Sequence, residues 1–336
     1  MYEFASGVIN VWEKHLLSKL DQERMLKAPN RESAFLVLFD TDLGNVISPQ
    51  IQNNIEEILR QDLLALKQRL EGVLDDNGFL LSFLFLQFDA WNLKGILKSI
   101  SFAEKAKEFQ PFVFSLQSYE NLNDYVRTAL GLQAKKILSE QKSLHYYVAK
   151  MTDEALQKSK ELFGGQAVVS AQAIEKVVDE AYFHTKLAMA KKSPSLLELV
   201  KLEIDIANLR SVLGGSGAPD FLPGGNLTKA HIEHLMKTHK GGETEKGIKE
   251  FLETLQLSFF IEHLRHEHAL IVLDKQLDGY IAQKFFQLSQ EKGSGAEKVV
   301  AFFQKKINTH ANIRLILFAK ENQLDPAHIE KILLPI

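Results

Sequence analysis

Asn208-Leu209-Arg210-Ser211-Val212-Leu213 has two near copies in the chain, Asn92-Leu93-Lys94-Gly95-Ile96-Leu97 and Asn312-Ile313-Arg314-Leu315-Ile316-Leu317. The shared pattern is Asn, aliphatic, basic, any residue, β-branched, Leu, and the asparagines lie 116 and 104 positions apart. Each copy reads as part of a helix that follows a long amphipathic helix and a tight break. The preceding helices are expected at Ile51–Leu74, Val168–Ala190 and about Leu264–Ser289. In the first of them Ile55, Ile58, Leu59, Leu63, Leu66, Leu70 and Val73 recur at the spacing of one helical face. The pattern has no short solenoid period. The expected fold is therefore all-α, a pseudo-threefold array of long helical hairpins with repeats at 1–115, 116–222 and 223–336.

The motif helices carry a second regularity. Leu202, Ile206, Leu209 and Leu213 make an apolar stripe, and Leu86, Ala90, Leu93 and Leu97 repeat it at the same offsets. In the third copy Lys306 and His310 replace the upstream pair. Asp89 and Asp205 stand three residues before Asn92 and Asn208, within side-chain reach on one helix face, where the third copy has Thr309. Two readings follow for Asn92, Lys94, Asn208, Arg210, Asn312 and Arg314. They are polar contacts that lock neighbouring repeats together, since a buried polar group must be hydrogen-bonded. Alternatively, the basic residues face a cavity and touch a partner.

The remaining composition narrows the class. A net charge of −3 gives no electrostatic footprint for nucleic acid. The chain has no cysteine, which rules out disulfides and thiolate metal sites and favours the cytoplasm. Eight prolines among 336 residues suit long helices. The most apolar run, Phe79–Phe88, is about half of what a membrane-spanning helix needs, so a buried helix is expected there. No signal peptide is visible at the N-terminus. Ser193-Pro194 and Asp325-Pro326 read as caps with first-turn prolines, and Ser294 with Glu297 as a capping box. Residues 31–50 read as a loop with one short strand-like or helical piece.

No phosphate-binding, dinucleotide-binding, zinc-protease or nucleophile-elbow motif is present. His263, His266 and His268 with Glu262 and Glu267 form a metal-like cluster, and His231 with His234 a lesser one. Both read first as polar helix faces. A His-cluster metalloenzyme and a generic helical adaptor are the alternative readings of the chain.

These residues resemble the C subunit family of V-type ATPases and archaeal-type ATP synthases, whose eukaryotic relative is subunit d. The resemblance rests on Asp89/Asn92/Lys94, on Glu203/Asp205/Asn208/Arg210 and on Asn312/Ile313/Arg314. Ile174–Phe183 and the Leu222–Leu227 loop add to it. It covers about residues 50–335, and it departs from the family pattern at Gly95 and Thr309. The resemblance implies a funnel-shaped, non-catalytic central-stalk subunit without a cofactor or small-molecule ligand. Its partners would be the central-shaft subunits and the membrane rotor ring, at the inner face of the membrane, coupling shaft rotation to ion transport. The glycine-rich stretch Gly214–Asn226 is a candidate contact loop.

Overall fold

The computed structural model describes residues 2–74, 78–102, 111–132, 144–163, 170–214, 221–240, 244–255 and 269–336. The described residues are all-α. The helices are α1 (Glu3–Trp12), α2 (Lys19–Lys27), α3 (Arg31–Leu36), α4 (Ile55–Val73), α5 (Phe79–Ser101), α6 (Tyr119–Ala129) and α7 (Tyr146–Phe163). They continue with α8 (Ala171–Ala190), α9 (Pro194–Gly214), α10 (Lys229–Lys240), α11 (Thr244–Thr254), α12 (Ala269–Lys292), α13 (Ala296–Glu321) and α14 (Pro326–Glu330). The three motifs lie on α5, α9 and α13. Among the described residues no helix is long and apolar enough to cross a membrane.

Local chemistry explains many of the helix starts. Asn54 caps α4 by accepting from Glu57 N–H at 3.1 Å, with Glu56 and Glu57 in the positive first turn. Ser118 and Ser170 cap α6 and α8 in the same way. Asp325 caps α14 with Pro326 in its first turn, and Ser193 accepts from Leu196 N–H at 3.4 Å. The expected Ser294 capping box is absent. The cap is Gly295, whose φ of +122° suits glycine, and its N–H donates to Ser6 Oγ at 3.2 Å. Glu297 turns instead toward Lys292. Residues 31–50 hold α3 and two 3₁₀ turns, Val37–Asp40 and Asp42–Asn45, with no strand.

The chain packs as two compact units, Met1–Asn77 with Glu233–Ile336, and Gly78–Ile232. In the first unit α13 packs along α12 and against α1, α2, α3 and α14. Its core joins Leu17, Met25 and Leu38 to Ile58 and Leu59 of α4 and to Ile313, Ile316 and Leu317 of α13. Each such side chain stabilises the fold by roughly 1.5–3 kcal/mol through burial. In the second unit α8 is central and packs on α5, α7 and α9. The apolar run Phe79–Phe88 is buried in α5 except for Gln87. Two of the expected helical pairs, α8 with α9 and α12 with α13, pack directly. Of the remaining pair, α4 belongs to the first unit and α5 to the second.

Candidate functional site

The three motif asparagines do the same thing. Asn208 is fully buried; its Nδ2 donates to Leu222 O at 2.9 Å, and its Oδ1 accepts from Leu222 N–H at 2.7 Å. Asn92 holds both backbone groups of Phe112 at 3.0 and 2.8 Å. Asn312 holds both backbone groups of Leu334 at 2.8 Å each. A carboxamide sets an acceptor oxygen beside a donor NH2, which matches the N–H and C=O of a single residue. Each motif thus clamps one residue of the segment that returns after its helix.

The acids three residues earlier do not pair with the asparagines. They reach the same returning segment further along. Asp89 accepts Leu116 N–H at 2.8 Å and Gln117 N–H at 2.9 Å. Asp205 accepts Asn226 N–H and Leu227 N–H, each at 3.0 Å, and the Asn226 side-chain amide at 2.9 Å. Burial pushes the Asp205 carboxyl above its usual range, against the pull of these donors. Residues 111–118 and 221–228 run through the same order of irregular chain, turn and bend before a helix begins. Their sequences, PFVFSLQS and FLPGGNLT, share almost nothing. Gly225 lies so close to Asp205 that a Cβ would sit 2.1 Å from Oδ1. In the first copy Asn92 Nδ2 also donates to Ser115 Oγ at 3.0 Å. The third copy has no acid: Thr309 Oγ1 is buried without a hydrogen-bond partner, and Asn308 donates to Pro335 O at 2.7 Å instead.

The basic residues diverge. Lys94 meets Asp179 of α8 at 2.6 Å, and Lys98 lies beside Glu175 of the same helix. Arg314 grips Glu56 of α4 with Nε and Nη2, each at 2.8 Å, in a solvent-exposed pair. Arg210 is exposed on α9. The Gly214–Asn226 stretch is described only from residue 221, apart from Gly214 at the end of α9; residues 215–220 lie outside the described residues.

A buried ionic cluster, which sequence reasoning missed, explains the odd third copy. Lys306 and His310 occupy stripe positions that are apolar in the other copies, yet both are buried. Lys306 Nζ lies 2.5 Å from Asp42 Oδ2 and 2.8 Å from Asp62 Oδ2, and His310 Nε2 lies 2.6 Å from Asp62 Oδ2. Asp62 sits inside the apolar face of α4. Burial raises the Asp62 carboxyl, but Lys306 and His310 outweigh it and hold it at about 2. Burial prevails at Asp42, whose carboxyl is raised, and at His310, whose imidazole is pushed toward neutrality. The signal available in the sequence was opposite charges at positions due to be apolar on two helices.

Among the described residues no three His, Asp or Glu side chains converge as metal ligands. The cluster of His263, His266 and His268 with Glu262 and Glu267 lies outside the described residues. His231 engages Thr228, and His234 lies 2.7 Å from Glu250.

No curated protein matches the chain by sequence. Residues 5–332 match the family described as ATP synthase (C/AC39) subunit. The match begins within α1, well before the first motif. With nearly the whole length matched, the chain belongs to the ATP synthase (C/AC39) subunit family and is a component of a V-type ATPase or ATP synthase.

Proposed function

We propose that the protein is the non-catalytic central-stalk subunit of its complex, receiving the central shaft on one side and the membrane rotor ring on the other. It would sit at the cytoplasmic face of the membrane and pass shaft rotation to the ring for ion transport. The observation that carries this reading is the triple clamp. A coupling subunit must move as a stiff body, and each motif helix is tied to its returning segment by paired hydrogen bonds from a buried asparagine. Family membership supports association with the other ATPase subunits. We read the chain as three repeats, 1–115, 116–222 and 223–336, and the recurrence of the clamp supports the threefold repetition. The six motif residues serve the body of the subunit in this reading, with Lys94 and Arg314 engaged in ion pairs.

Co-expression with the shaft subunits and the ring tests the role. Co-purification with both is expected, and a folded chain that binds neither refutes it. Shortening the stretch between Gly214 and Asn226 should weaken assembly without unfolding the chain; unchanged assembly removes that loop from the interface.

A further inference from the structure

We propose that Asp42, Asp62, Lys306 and His310 form a proton-operated latch, in which uptake of one proton by His310 releases α4 and the 42–45 turn from α13. The geometry carries it. His310 is 2 % exposed and presents Nε2 to Asp62 Oδ2 at 2.6 Å, so this nitrogen holds the proton of the neutral ring. Its Nδ1 is buried and has no hydrogen-bond partner. In the neutral ring Nδ1 is a bare lone pair, and an unmet acceptor is tolerable. A second proton there creates a charged N–H with nothing to receive it. The Asp62 oxygen that faces His310 already accepts from Lys306 at 2.8 Å, so it has little left for an imidazolium.

The charges around the ring act in both directions. Asp62 on α4 favours protonation, while Lys306 and Arg314 on α13 oppose it. Glu56 on α4 is occupied by Arg314, and Asp42 on the turn by Lys306. Arg69 on α4 acts on Asp42. Near the start of α13, Lys298 and Lys305 share Glu13. Burial decides the balance against the charged ring. The open form therefore binds the proton more readily than the closed form. Opening is promoted as pH falls below the ordinary histidine value and levels off below the closed-state value. This device is independent of the coupling role, because it concerns only the joint within one unit.

Hydrogen exchange of the full-length protein between pH 7.5 and 5.5, corrected for intrinsic exchange, tests the latch alongside an NMR titration of His310. The closed chain should show His310 titrating below about 6.5. Protection in 42–45 and 55–73 should fall by up to about tenfold per pH unit, the limit for one proton. In His310→Gln the protection should become flat with pH. The proposal is overturned if wild-type protection does not change, if His310→Gln keeps the same fall, or if His310 titrates at or above 6.5. Should His310→Gln not fold, the wild-type titration and protection profile decide alone.

Discussion

Replacing Asn208 by Ala separates a buried clamp from an ordinary helix residue. The side chain is fully buried and makes two bonds of 2.9 and 2.7 Å to the main chain of Leu222, itself 7 % exposed. The substitution strands one buried N–H and one buried C=O. Each unsatisfied group costs about 1–3 kcal/mol, so the loss should be about 3–5 kcal/mol with partial relaxation. The unit concerned is Gly78–Ile232, of ordinary domain size. At roughly 2–4 °C per kcal/mol the melting transition of that unit should drop by about 6–20 °C. Urea denaturation followed by circular dichroism and by a probe in α8 would keep the two units' transitions apart. Asn208→Leu provides the decisive comparison. It refills the volume but restores no hydrogen bond, so it should be as damaging as Ala. If Leu recovers most of the stability, or if Ala costs less than about 1 kcal/mol, the clamp is not what holds the returning segment.

Gly225→Ala should destabilise the same unit, because its Cβ would meet Asp205 Oδ1 at 2.1 Å; adding Asp205→Ala to Gly225→Ala should remove the clash, and calorimetry of both variants checks this. Lys306→Met leaves two buried carboxylates without their cation and should cost about 3–5 kcal/mol. Replacing all four cluster residues with apolar ones of similar volume should recover most of that in urea titrations. The Asp62 carboxyl, held at about 2 against an ordinary value near 3.8, contributes stability that is complete above pH 4 and lost as pH falls through 2. That contribution is about 2 kcal/mol. Acid denaturation of Asp62→Asn should show this limb flattened. Arg314→Ala breaks an exposed pair with Glu56 and should cost under about 1 kcal/mol, less at high salt.

Helical periodicity made the all-α class and the placing of the motif helices legible, since a buried face must repeat every three or four residues. The function of the motif was only half legible. An asparagine at a recurring buried position announces a hydrogen bond, but its partners are main-chain groups of Phe112, Leu222 and Leu334, which leave no mark in sequence. For the same reason Asp89 and Asp205 read as neighbours of the asparagines, when they serve residues 21 to 28 positions away. Lys306 and His310 stood out as breaks in a stripe. Asp42 and Asp62, which make sense of them, lie over 240 positions earlier, and periodicity within one helix cannot join them. The misplaced cap at Ser294 is a smaller case: Ser-x-x-Glu is a local code, and a contact from Ser6 at the other end of the chain displaced it.

The clamped segments also set how this body deforms. In an all-helical protein the connections between helices are the compliant parts, and bending collects there. Residues 111–118 and 221–228 are held by an amide at one end and a carboxylate at the other, and the first runs straight into the cap of α6 at Ser118. Neither can act as a free hinge. A sideways load on α5 or α9 passes into these segments through short, directional bonds, so each clamped segment behaves as a strut.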